Sequence, residues 1–181
     1  MVCGIMIALT IGFKNLPKEG GLQKALNIGA IGSLLAIMNT ASEVGYGNVI
    51  AALPGFKSIA AFLLGIKIGG TPLMSEAVSV TTLAGITGSG SGGLSIALDL
   101  MSKDWIAWAN TSGVPLEMLH RVSSMACGGM DTLPHNGAII TLLAVCGLTH
   151  RQSYFDIFGI TILKTLSAFA VILFFAVTGL Y

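Results

Sequence analysis

Between Cys127 and Gly137 the chain places a carboxyl (Asp131), a hydroxyl (Thr132), an imidazole (His135) and an amide (Asn136) around Pro134, inside an otherwise apolar run. Asp131 and His135 can take up and release protons, while Thr132 and Asn136 suit an oxygen-rich solute. On a helical segment Asp131 and His135, four apart, would share a face and could form a charge-coupled pair, a geometry that Pro134 between them works against. An ionised Asp near a bilayer centre costs about 2.5–3.5 kcal/mol against roughly 0.3–0.6 returned per Leu or Ile, so lipid tolerates Asp131 only where something uses it.

Two further stretches carry chemistry of the same kind. Asn39, Thr40, Ser42 and Glu43 open a polar segment that continues through Gly45, Tyr46, Gly47 and Asn48. Ser89 and Ser91 sit among Gly88, Gly90, Gly92 and Gly93. That glycine stretch fits the dinucleotide fingerprint letter for letter, but no βαβ unit surrounds it and no acid follows in a strand. It is not a Walker A loop either, so nucleotide binding is set aside. Glu43, Glu76, Asp131 and His135 lie within apolar segments, where an ionisable group can serve to bind and release a proton. Glu43 and Asp131 are the first choices for that role; Glu76, soon after Thr71-Pro72, reads as a boundary residue.

The elements that hold these residues are set by composition. Hydrophobic residues make up 54% of the chain and charged residues 9%, and the mean hydropathy is +0.85. Soluble domains carry about 25% charged residues, so this composition belongs in a membrane. Thr165 to Tyr181 and Ala77 to Leu98 carry no charge. Continuous runs rich in Ala, Leu, Ile and Gly indicate helices, since a barrel needs short alternating segments. The net charge of +1, with no basic tail, gives no footprint for nucleic acid. Cys3, Cys127 and Cys146 are odd in number and widely spaced, and His120, His135 and His150 have no ligand-like spacing to them. Buried thiols are expected, with no metal centre and no cofactor.

The expected order is an all-α, polytopic transmembrane bundle with spans near 1–13, 25–53 and 58–75, a re-entrant hairpin over 77–100, a span over 114–149 broken near 128–137, and a last helix over 154–180. Met1 to Phe13 lacks a basic n-region and a cleavage site, so it reads as a truncated helix rather than a signal peptide. Lys14, Lys18 and Lys24 against Glu19 place residues 14–24 on the cytoplasmic side. A first break is expected at Asn39–Asn48, and a second at Gly88–Gly93, where the glycines form the hairpin tip rather than helix. Trp105 and Trp108, beside Lys103 and Asp104, read as interfacial. Glu117 and Arg121 can pair on one helix face. Lys164, alone in the last span, faces the bundle interior or snorkels.

Non-helical backbone survives at membrane depth only where protein or a water-filled cavity covers it. Half-helix ends at such breaks receive ions and carboxylates, which is how secondary transporters build sites. A channel uses similar devices but more often shows a repeated pore motif or charged ring, and neither is present here.

Asn39 to Pro54, Gly88 to Gly93 and above all Gly129 to Ala138 resemble the gluconate permease family, whose members carry sugar acids or short hydroxy acids such as D-3-hydroxybutyrate. The resemblance spans essentially the whole chain. It implies a proton-coupled carboxylate symporter of the ion transporter superfamily, with inverted repeats, paired re-entrant hairpins and elevator-like motion. Members are more than twice this length, so the chain is expected to be a C-terminal portion with one repeat missing or nearly so.

The expectation is therefore a transporter, not an enzyme, in the cytoplasmic (inner) membrane with several passes. It takes up gluconate or a similar small hydroxy-acid anion together with a proton. Asn39, Thr40, Ser42, Ser89, Ser91, Thr132, His135 and Asn136 surround the substrate, and Glu43 and Asp131 carry the proton. The partners are that organic anion, the proton and the lipid bilayer, with a homodimer left open and no nucleic acid. The alternatives are an intramembrane enzyme using Asp131 and His135, for which no nucleophile motif is present, and an inactive fragment of a split permease.

Overall fold

The computed structural model describes residues 2–15 and 20–180, which are helical with no strand among them. The chain divides into two compact units, Met1–Met38 and Asn39–Tyr181. The first holds α1 (Val2–Gly12), a single 3-10 turn at Phe13–Asn15, and the N-terminal part of α2 (Gly21–Ala52). No residue of α1 is buried although the helix is apolar throughout, the pattern of a surface meant for lipid. Of the basic loop expected on the cytoplasmic side, Lys14 lies in the 3-10 turn and Lys24 in the first turn of α2. Lys18 and Glu19 lie outside the described residues.

The second unit takes the rest of α2 and adds α3 (Pro54–Leu64), α4 (Pro72–Thr87), α5 (Gly90–Ser112), α6 (Leu116–Ala126), α7 (Gly137–Cys146) and α8 (His150–Thr178). By length and composition α2 and α8 can each cross a bilayer. α4 is central and packs against α3, α5, α6 and α8. Its Leu73, Ala77, Val80 and Leu83 meet Met101 and Trp105 of α5, Met118 and Val122 of α6, and Ile172 of α8 in one buried cluster.

Four local expectations are corrected. Asn39–Asn48 is not a break, because α2 runs through it as helix. Asn39, Glu43 and Gly47 recur every fourth residue, so their polarity and small size form a stripe along one face. Residues 58–75 are not one segment: α3 ends at Leu64, Gly69 and Gly70 adopt left-handed φ of 78° and 71°, and α4 begins at Pro72, which has no N–H to continue a helix. Trp105 is not interfacial but 1% exposed, its indole N–H donating to Ser75 Oγ at 3.2 Å. Trp108 remains near charge, with Lys67 Nζ 5.9 Å from its ring centre. Glu76, taken as a boundary residue, is 2% exposed, because α3, α5 and α6 pack around α4.

The hairpin between α4 and α5 turns at Gly88 and Ser89 alone, and Gly90 to Gly93 are already helical. Gly88 supplies the left-handed φ of 69° that ends α4, and Ser89 caps α5 by accepting the Gly92 N–H at 3.2 Å. The glycines tolerate a helix here because they permit close approach. A Cβ at Gly93 would collide with the backbone N and Cα of Ala84.

That contact sets the α4–α5 spacing. Gly93→Ala must push the two helices apart, at a cost of about 1–3 kcal/mol or more. It is expected to lower the detergent-solubilised melting temperature clearly. Gly159→Ala in α8, where a Cβ meets nothing within 4 Å, should leave it unchanged. Equal melting of the two variants would refute this account of the hairpin.

Candidate functional site

α6 ends at Ala126 and α7 begins at Gly137, so the segment that the sequence marks as chemical is the non-helical link between two short helices. Its backbone is held by turns, with Gly128 N–H donating to Met125 O at 3.2 Å, Gly129 N–H to Ala126 O at 3.0 Å and Asn136 N–H to Leu133 O at 2.9 Å. Thr81 of α4 also donates to Ala126 O, at 3.0 Å. The helical face expected for Asp131 and His135 therefore does not exist. The two side chains go to different partners.

The C-terminal half of the link closes two helix ends at once. Asn136 caps α7, its Oδ1 accepting from Ala138 N–H at 2.7 Å and Ile139 N–H at 3.3 Å. Its amide nitrogen donates to Gly88 O at 2.5 Å, across to the end of α4. His135 Nε2–H donates to Gly85 O at 2.9 Å, since a carbonyl oxygen can only accept, and the ring is therefore protonated at Nε2. The first amide of α7, Gly137 N–H, donates to the Glu43 carboxylate of α2. Asn39, one turn earlier on α2, donates to Thr141 Oγ1 of α7 at 2.8 Å. A carboxylate at a helix N-terminus is stabilised by the orphan amides and the positive end of the helix dipole.

These contacts frame a cleft of about 470 Å³ lined by Ser42, Glu43 and Tyr46 of α2, Gly85, Ile86 and Thr87 of α4, and His135. Thr87 Oγ1 donates back to Leu83 O at 2.8 Å and accepts the Ser89 N–H at 3.4 Å, which leaves its hydroxyl oxygen one lone pair. Gly47, buried one turn beyond Glu43, faces Thr87, whose Cγ2 would lie 3.5 Å from a Cβ there, so the site has room for one methyl and no more.

The N-terminal half of the link faces α8 instead. Lys164 Nζ lies 2.5 Å from Asp131 Oδ1, both side chains about one-third exposed at 33% and 30%. Thr132 Oγ1 lies 2.7 Å from Thr161 Oγ1, and Tyr154 OH donates to Thr132 O at 3.4 Å. His150 Nε2 reaches Pro134 O at 2.9 Å.

Of the residues expected around a substrate, Ser42 and His135 line the cleft beside Glu43, while Asn39 and Asn136 hold its walls together. Asp131 and Thr132 do not line it and belong to the α8 contact. Ser89 is the buried cap of α5, with Ser91, exposed, 3.5 Å from it, and neither lines the cleft. Thr40 is exposed on α2. Lys164 and Thr87 were not among the expected site residues. A lone cation in one apolar span and a lone acid in another is the signal that would have paired Lys164 with Asp131. Thr87 offered none, since one Thr in an apolar helix looks like any other.

No family model and no solved structure matches the chain. The chain is 52% identical over 181 residues to the Bacillus subtilis (strain 168) protein named "Uncharacterized transporter YxjC". That alignment covers 99% of this chain and 37% of the relative, so the chain spans little more than a third of the length of the protein it matches. The likeness supports a relationship to transporters in general and fits the all-α membrane architecture.

Proposed function

We propose that the chain is part of a secondary active transporter of the gluconate permease type, carrying gluconate or a similar small hydroxy-acid anion together with a proton. The observation that carries this reading is the seat of Glu43. Its carboxylate accepts the first amide of α7 at the wall of a cleft that also exposes Ser42, Tyr46 and His135. A substrate carboxylate is chemically the same group and competes for the same donor. The hydroxyls of a sugar acid then find Ser42, Tyr46, Thr87 and the imidazole around them.

Coupling follows from this competition. With Glu43 ionised, the α7 amide is occupied and the cleft carries a negative charge that repels an anion. A proton on Glu43 removes the charge and weakens its hold on the Gly137 N–H, so proton and anion enter together. Thermodynamic linkage requires the reverse as well: bound anion favours the protonated glutamate. The similarity to a protein named as a transporter supports transport, and the half-helix ends at the cleft fit a carboxylate ligand.

Glu43→Gln in the full-length carrier mimics the protonated state. It should retain exchange of labelled substrate across proteoliposome membranes and lose accumulation driven by a pH gradient. Undiminished gradient-driven uptake would remove Glu43 from the mechanism. Comparing labelled gluconate with labelled hydroxybutyrate in the same vesicles identifies the preferred anion.

The Asp131–Lys164 pair is assigned to fixing α8 against the link, with Asp131 available to exchange a proton when the pair opens. Exposed pairs are worth about 0.2–1 kcal/mol, and removing one partner of a buried pair costs about 3–5. A pair one-third exposed falls between. Asp131→Asn should therefore lower stability by about 1–3 kcal/mol. The swap D131K with K164D should recover most of that loss in thermal melts; no recovery would mean that Asp131 acts through some other partner.

A further inference from the structure

A second cavity, of about 370 Å³, lies away from the cleft, between α5 and α6. Leu94, Leu98 and Ile106 of α5 and Leu116 and Leu119 of α6 give it apolar walls, and Glu76 of α4 lines it. Glu76 is 2% exposed. Its Oε1 accepts a hydrogen bond from Ser123 Oγ at 2.5 Å, and its Oε2 is buried with no hydrogen-bond partner among the described residues. Native structures leave few buried polar atoms unsatisfied, and an unpaired one generally marks a ligand, an ion or a functional proton.

We propose that Glu76, held by Ser123, is a proton-exchange site reached through this cavity and separate from the Glu43 cleft. The lining supplies no lysine or arginine to balance a carboxylate. The other titratable side chain that lines it is His120, exposed on α6 one turn before Ser123. Asp99, Lys103 and Asp104 of α5, Glu117 and Arg121 of α6, Lys57 of α3, and Asp156 and Lys164 of α8 do not line it. Lys164 is paired with Asp131. A metal ion is a poor occupant, because no cluster of three or more His, Cys, Asp or Glu that could hold one occurs among the described residues. A proton on Oε2 removes a charge that the apolar walls cannot solvate, and it leaves a hydroxyl free to donate to whatever enters the cavity. The site would therefore load and unload only as the cavity admits water.

A hydrophobic carbodiimide, which adds to a protonated carboxyl in apolar surroundings, tests this directly on the full-length protein in membranes. Mass spectrometry should find the adduct at Glu76, with labelling that falls as the pH is raised and that is absent from Glu76→Gln. A water-soluble carbodiimide should label Glu76 several-fold less. An unmodified Glu76, or equal labelling by both reagents, would overturn the proposal whether or not the protein transports anything. A second arm rests on the symport reading given above. In proteoliposomes where the wild type shows gradient-driven uptake, Glu76→Gln should lose that stimulation at least ten-fold while retaining exchange at equal pH. Full retention of the stimulation would overturn the coupling role of Glu76 and leave the Glu43 reading standing.

Discussion

Backbone groups freed at a helix end inside an apolar bundle must find partners in the protein, because lipid offers none. The second unit meets this demand by setting the end of α4 against the start of α7. His135 and Asn136 serve the carbonyls of Gly85 and Gly88, while Asn136 and Glu43 take the amides of Gly137, Ala138 and Ile139. Ile140 N–H completes the turn on Asn136 O at 3.0 Å. One short segment thus satisfies donors on one helix and acceptors on another. Polar residues that would be a liability in lipid are there because the backbone requires them, and the cleft forms beside the place where they gather.

The same demand explains why the site can be both stable and responsive. Asn136 is buried and fully engaged, so it fixes the junction. Glu43 is a carboxyl acceptor brought in from a different helix, and its contact with the Gly137 N–H is separate from those that Asn136 makes. The dipole of α7 favours whichever carboxylate is present. On the proposed reading, a helix end that favours any carboxylate is what competition between a protein carboxylate and a substrate carboxylate needs.

Much of this arrangement was legible in the residues. Gly128, Gly129, Pro134 and Gly137 mark the link between α6 and α7, and Gly88 marks the hairpin turn, because proline and left-handed glycine leave local signatures. What the sequence did not reveal depends on tertiary partners. The polar stretch of α2 looked like a break because polarity was read along the chain instead of around the helix; Asn39, Glu43 and Gly47 at every fourth position are one face turned to α7 and Thr87. Gly90 to Gly93 looked too flexible for helix, but the cost of glycine is offset where a neighbouring backbone lies as close as Ala84. Glu76 looked like a boundary residue because Thr71-Pro72 opens its helix, and only the packing of α3, α5 and α6 around that opening puts the carboxyl in the core. The pairing of Asp131 with Lys164 was accessible from charge balance, but the separation of Asp131 from His135 required the path of the link itself.

That path has a mechanical consequence. α6 and α7, of eleven and ten residues, are each about 15 Å long at 1.5 Å per residue, half of the roughly 30 Å of hydrocarbon. If they cross as a pair, the link lies near mid-depth, where its two halves are bonded to different helices. Asp131 and Thr132 hold it to α8, and His135 and Asn136 hold it to α4. His150, the first residue of α8, reaches Pro134 O as well, so the link passes from α8 to α4 between Pro134 and His135, beside a proline whose φ is fixed. One wall of the cleft and the contact with α8 thus belong to a single non-helical segment, in which the Asp131–Lys164 pair fastens the α8 side and His135 with Asn136 fastens the α4 side.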